Sequence, residues 1–197
     1  LIIPIGEWVI QEACKAARNW QALTGNPIGV AVNVSPRQFR DPGFTDAVMR
    51  ALDASGLSPE LLELEITERL ILDNSIETAD ILRKLDRSGI RLTVDDFGTG
   101  YSALSYLKSY PFDTLKIDKS FIQDVLTEND DASLVRAIIT MAHSLGLKVV
   151  AEGVEAEAQT HFLKEEHCDY SQGYFYSTPL PEQDFIQWLD TNERAST

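Results

Sequence analysis

Six short β-rich segments, separated by stretches of helical spacing, set the tightest limit on what this chain can fold into. They are Ile28–Val34, Leu61–Ile66, Ile90–Val94, Thr114–Ile117, Leu147–Val150 and Tyr170–Tyr176. Between them apolar residues recur at threes and fours. Ile5, Val9, Ala13, Ala16, Trp20 and Leu23 form one such stripe, and Leu134, Ile138, Met141 and Leu145 form another. Each is expected to be the buried face of a helix. Gly56, Gly89 and Gly146 sit where helices should stop, and Pro181 and Glu182 where the last should start. Strands alternating with helices imply βαβ units and a mostly parallel sheet. The third and fifth segments are nearly continuous apolar runs, as expected when helices cover the sheet. An open doubly wound sheet and a (β/α)8 barrel both fit this pattern.

The chain has 197 residues, enough for one domain with a sizeable core. Its formal net charge of −14 argues against binding long nucleic acid or an anionic membrane. A small phosphorylated ligand stays compatible with that charge if cations mediate. No apolar stretch is long enough to span a bilayer. Leu1-Ile2-Ile3-Pro4-Ile5 lacks the basic flank and cleavage site of a signal peptide, and reads as a chain cut inside a domain. Cys14 and Cys168 form no C-x-x-C motif and are expected as buried thiols in a reducing cytoplasm. His143, His161 and His167 show no H-E-x-x-H spacing, so no zinc site is expected. Residues 1–190 are expected to form the domain, and 191–197 a frayed polar tail.

Chemistry enters where the apolar strands stop. Asn33 ends the first strand, and Glu65 the second with Glu68 one turn on. Asp95 and Asp96 end the third, ahead of Gly98-Thr99-Gly100; Lys116 and Asp118 end the fourth. Glu152 and Glu155 follow the fifth strand, and Gln172 lies in the sixth. Each has a plain alternative: Asn33 starting a turn, Glu68 as a charge at a helix start, Lys116 as a surface lysine. Packing does not account for all of them together. In an α/β barrel, C-terminal strand ends form one rim, where active sites are built. Two carboxylates about 4 Å apart repel by roughly 4 kcal/mol at an effective dielectric near 20. Glu65, Asp95, Asp96 and Glu152 against Lys116 alone therefore call for cations. Oxygen and amide ligands favour magnesium or manganese over zinc.

The ordered set of motifs resembles the EAL domain, the bacterial phosphodiesterase of cyclic di-GMP. The matching stretches are Asn33-Val-Ser35-Pro-Arg-Gln38, Glu65-Ile-Thr67-Glu68, Asp95-Asp-Phe-Gly-Thr-Gly100-Tyr-Ser102, Lys116-Ile-Asp118, Ala151-Glu-Gly-Val-Glu155 and Gln172-Gly-Tyr174 with Pro179-Leu-Pro181. The resemblance implies an α/β fold, a modified TIM-like (β/α)8 barrel with one antiparallel strand near its N-terminus. It implies one metal held by Asn33, Glu65 and Asp95, and a second by Asp95, Asp96 and Glu152. Lys116 is then expected beside the attacking water, and Glu68 beneath the Asp-Asp-Phe-Gly loop, known in the family as loop 6. Asp118, Glu155 and Gln172 are expected to line the substrate. The implied reaction is in-line hydrolysis of one phosphodiester bond of cyclic di-GMP, giving linear pGpG, with two Mg2+ or Mn2+ ions. A homodimer coupled to loop 6, upstream GGDEF or sensory modules, and a cytoplasmic location with membrane anchoring through upstream segments are family expectations too.

The Glu-Ala-Leu signature that names the family does not occur between Leu1 and Thr197. It is expected upstream, with about two further strands and one metal-ligating Glu. On that reading this piece alone is weak or inactive. A module that binds cyclic di-GMP without cleaving it is the alternative function. A receiver domain would place its acid pair after the first strand rather than the third. Asp96-Phe97-Gly98 has no kinase glycine-rich loop or His-Arg-Asp triplet to accompany it.

Overall fold

The computed structural model describes residues 1–72, 75–98 and 104–195. Its elements in order are α1 (Ile2–Thr24), β1 (Val30–Val34), α2 (Pro36–Phe39), α3 (Phe44–Ser55), a 3-10 turn at Pro59–Leu61, β2 (Leu62–Thr67), α4 (Glu68–Ile71) and α5 (Ile76–Arg87). There follow β3 (Arg91–Phe97), α6 (Leu104–Leu107), β4 (Thr114–Ile117), α7 (Lys119–Gln123), α8 (Asn129–Ser144), β5 (Lys148–Ala151), α9 (Glu157–Glu165), β6 (Tyr170–Ser171) and α10 (Glu182–Ala195). The six strands make one sheet in the order β1-β2-β3-β4-β5-β6, and every pairing is parallel. A doubly wound sheet reverses its strand order at a switch point. Here each strand lies beside the next throughout, which is barrel winding.

One sheet face packs on the helices. Leu62, Leu64, Ile66, Leu92, Val94, Leu115, Ile117, Val149 and Ala151 point that way and are buried. They meet Ile10 and Cys14 of α1, Val48 and Leu52 of α3, Leu82 and Leu85 of α5, and Val135 and Ile139 of α8. Burying such side chains stabilises the fold by about 1.5–3 kcal/mol each. Cys14 lies in this core, where burial pushes its thiol up to about 11. Trp20 Nε1 donates to Glu182 Oε1 at 3.2 Å and the Trp20 ring meets Phe185 edge-on at 4.7 Å, joining α10 to α1.

Several boundaries differ from the sequence reading. The buried face of α1 is Ile10, Cys14 and Ala17, whereas Ile5, Val9 and Leu23 are exposed. The helix carries two apolar stripes, and the one with small residues sits closest. Gly6 belongs to that side: a Cβ there would lie 2.2 Å from Gln38 Oε1. In α8, Leu134 is likewise exposed, and Val135, Ile138, Ile139 and Ala142 face the core. The last helix runs on to Ala195, past the boundary expected at Asp190; residues 196–197 lie outside the described residues.

The sixth strand is two residues long rather than seven, so Gln172 lies just beyond it. The cause is a close backbone crossing at Gly173. A Cβ there would lie 2.2 Å from the Val154 carbonyl oxygen and 2.3 Å from its nitrogen. Val154 N donates to the Gln172 carbonyl at 3.0 Å, and Phe175 N to the Val154 carbonyl at 2.9 Å. Gly173→Ala is expected to cost about 3 kcal/mol by overpacking, a fall of roughly 6–12 °C in Tm. Thermal denaturation showing an unchanged Tm would mean that the crossing can open freely.

Candidate active site

Side chains alternate between two faces along a strand. With Leu62, Leu64 and Ile66 turned to the helices, Glu63 and Glu65 face inward. Thr93 and Lys116 share that inner face: Thr93 Oγ1 donates to Glu63 Oε1, and Lys116 Nζ lies 2.7 Å from Glu65 Oε1. The same ammonium lies 2.6 Å from Glu152 Oε1 and 3.3 Å from Asp95 Oδ1. Lys116 is only 4% exposed. Three strand ends, β2, β3 and β5, thus deliver acids to one lysine on β4.

The third strand does not stop at Val94. It continues through Asp95 and Asp96 to Phe97 by way of a bulge. Val94 pairs with Leu115 and Phe97 with Ile117, so Asp95 and Asp96 together oppose Lys116. Successive strand residues normally point to opposite faces, and the extra residue lifts that restriction. Asp96 takes a left-handed backbone, φ 55°, which Asp tolerates better than most residues. As a result Asp95, Asp96 and Glu152 each place a carboxylate oxygen within 4.8 Å of the others. Asp95 Oδ1 is fully buried and, although 3.3 Å from Lys116 Nζ, makes no hydrogen bond. An orphaned acceptor among clustered carboxylates fits a hard divalent cation.

The electrostatics follow from burial and crowding. Burial raises the Glu65 carboxyl, with Lys116 pulling back and Asp95 and Glu63 adding to the rise. Burial likewise raises Glu152 against the pull of Lys116. Asp96 is raised by burial, then by Asp95 and Asp118. For Lys116 burial alone favours the neutral amine; hydrogen bonds to Glu152 and Glu65 and the field of Glu65 and Asp95 outweigh it, and the net shift is upward.

These shifts predict how stability varies with pH. Three carboxyls raised in the fold bind more protons folded than unfolded above their ordinary value. The stability they lend is present at lower pH and is lost as pH rises through the folded values. The metal-free protein should therefore lose Tm as pH rises above the ordinary carboxylate range toward neutrality. Asp169, lowered against burial by His143 and Lys148, acts oppositely and only below the ordinary carboxylate value. Saturating Mn2+ should restore the loss at pH 7, by about 2.7 kcal/mol at a hundredfold excess over Kd. A Tm indifferent to both pH and Mn2+ would contradict this account of the cluster.

The remaining expected residues fall around this centre. Asn33 is exposed on β1, in register with Glu65. Glu68 is buried, and its Oε2 accepts the Gly98 N–H at 3.1 Å, directly under the segment after the bulge. Thr99, Gly100, Tyr101 and Ser102 of that motif lie outside the described residues. Asp118 caps α7 by accepting from Ser120 N at 2.8 Å. Gln172 Nε2 donates to Glu152 Oε1 at 2.7 Å. Glu152, Glu155 and Gln172 line a cleft of about 790 Å3, together with Lys119, Tyr174 and Trp188. Reasoning from strand ends missed the bulge, the Thr93–Glu63 pair and Lys119. A residue count alone does not announce a bulge, although an Asp-Asp pair before glycine is compatible with one.

Comparison with known proteins gives a consistent result. The family described as EAL domain matches residues 1–179. Signaling protein YkoW of Bacillus subtilis is 47% identical over 189 residues, covering 96% of this chain and 24% of that protein. Cyclic di-GMP phosphodiesterase NbdA of Pseudomonas aeruginosa is 42% identical over 181 residues, covering 92% of this chain and 23% of that protein. The solved structure of the PaMucR phosphodiesterase in complex with c-di-GMP superposes with a TM-score of 0.90 at 42% identity, over 93% of this chain and 74% of that one. The chain thus spans about a quarter of the length of these curated relatives.

Proposed function

The chain belongs to the EAL domain family, and from that premise we propose that it hydrolyses cyclic di-GMP to linear pGpG, as the phosphodiesterase part of a bacterial signalling protein. The observation that carries this reading is the bulge. It turns Asp95 and Asp96 to the same place, beside Glu152 and opposite Lys116. A sensor that only bound the nucleotide would not need this crowding of acids, which costs stability when no cation is bound.

Mg2+ or Mn2+ is the proposed cofactor. Asp95, Asp96 and Glu152 would hold one ion, and Asn33, Glu65 and Asp95 the other. Bound there, divalent cations would neutralise charge developing on the phosphate oxygens. Lys116, held charged by its three carboxylates, fixes their oxygens and orients the attacking water. Glu68 ties Gly98 and so the start of loop 6. Asp118, Glu155 and Gln172 orient the nucleotide, with Tyr174 and Trp188 offering aromatic faces in the cleft. Homodimerisation and a partnership with GGDEF or sensory modules complete the proposal. The domain would work in the cytoplasm, where the nucleotide signals; among the described residues no helix is long and apolar enough to cross a membrane.

The test is chromatography of cyclic di-GMP incubated with the whole protein. Conversion to pGpG with Mg2+ or Mn2+, abolished by a chelator, is the expected result. Tight binding without cleavage under any divalent ion would replace catalysis with sensing.

A further inference from the structure

Gln159 lies off the rim on α9, yet it is 6% exposed and its whole amide is engaged. Its Oε1 accepts the backbone N–H of Glu155 at 2.8 Å and of Ala156 at 3.0 Å. Its Nε2 donates to the Ile122 carbonyl at 2.9 Å. Ala156, at the N-cap, has no side-chain acceptor to return, so this is only half of a reciprocal helix cap. The other half of the amide reaches across to α7 instead. A short helix such as α7 leaves its last carbonyls without partners of its own, and Gln159 satisfies one of them.

The two segments joined in this way both line the cleft. Lys119 and Gln123 belong to α7, and Glu155 to the loop between β5 and α9. A glycine permits close contact at a second point: a Cβ on Gly153 would lie 2.5 Å from Lys119 Cβ. Glu152 is anchored separately. Its N–H donates to the Ile117 carbonyl at 3.2 Å, and its carboxylate is held by Lys116 and Gln172.

We propose that Gln159 is a positioning residue for substrate binding, which sets the separation between the Glu155 loop and α7 in the nucleotide cleft. The proposal rests on the cyclic di-GMP reading above. Because Glu152 has its own anchors, loss of the Gln159 amide moves Glu155 and leaves the cation ligands in place. Gln159→Met should raise KM for cyclic di-GMP about tenfold, with kcat and the Mn2+ dissociation constant within about twofold of wild type. Gln159→Glu keeps the bonds from the Glu155 and Ala156 N–H groups but sets an anionic oxygen against the Ile122 carbonyl, so the link to α7 is lost. Its KM should rise at least as much, about tenfold.

Steady-state kinetics and Mn2+ titration of the whole protein test this, with Leu163→Ala as the control. Leu163 is buried on the same helix and takes no part in the clamp. Its truncation should lower Tm and leave KM unchanged. A wild-type KM in Gln159→Met overturns the proposal, as does an equal rise of KM in Leu163→Ala. Should the Met variant not fold, Gln159→Glu decides instead, and a wild-type KM there overturns the proposal. If wild type does not cleave cyclic di-GMP, the functional reading fails by itself, and amide hydrogen exchange still decides Gln159. Faster exchange at Glu155 and Ala156, with the Glu152 amide unchanged, supports the clamp. Unchanged exchange at all three overturns it.

Discussion

Asp95→Asn is expected to lower kcat for cyclic di-GMP by about a thousandfold or more, a loss of roughly 4 kcal/mol in transition-state stabilisation. Asp95 belongs to both proposed cation sites, and one of its oxygens is buried without a hydrogen bond. The amide replaces an anionic acceptor with a neutral group that presents N–H donors where cations should sit. The fold should not suffer. Removing one charge from a crowd that already pushes Glu65, Asp96 and Glu152 upward should leave metal-free Tm unchanged or slightly higher at neutral pH. Turnover and thermal melting on the same preparation separate the two effects. Wild-type turnover in this variant would refute the shared-ligand assignment.

Lys116→Met should lower stability as well as turnover. Its ammonium is the buried partner of Glu65, Asp95 and Glu152. Deleting one member of a buried ionic group costs about 3–5 kcal/mol, because the others are left uncompensated. That corresponds to a fall of roughly 10 °C in Tm for a chain of this size. Mn2+ should stabilise this variant more than wild type, since the cation takes over the missing positive charge. Turnover should stay about a hundredfold or more below wild type even with the metal bound, the usual cost of losing one positioned donor. If Mn2+ restored both Tm and turnover, Lys116 would be a counter-charge and nothing more.

Much of this arrangement is legible in the sequence, because parallel strands covered by helices leave simple marks. Thr114–Ile117 matches to the residue, and every other strand except the last to within about three residues. The rim residues stand out as polar types at the ends of apolar runs, and the order of the motifs points to the family matched over residues 1–179. What periodicity does not show is three-dimensional choice. On α1 two apolar stripes compete, and close packing selects the one with Gly6, Cys14 and Ala17. At Gly173 a backbone crossing ends a strand that the apolar and aromatic run alone would carry to Tyr176. Gln159 joins segments 37 residues apart, which spacing within one helix does not reveal.

The left-handed turn at Asp96 also makes this stretch intolerant of a change in length. Deleting Asp96 would let Val94, Asp95 and Phe97 pair with Leu115, Lys116 and Ile117 one for one, a regular ladder with no unusual φ. Such a strand should be the easier one to fold, and it would present a single acid where the chain now presents two. The irregular residue is therefore what brings a second carboxylate from this strand into the group with Glu152.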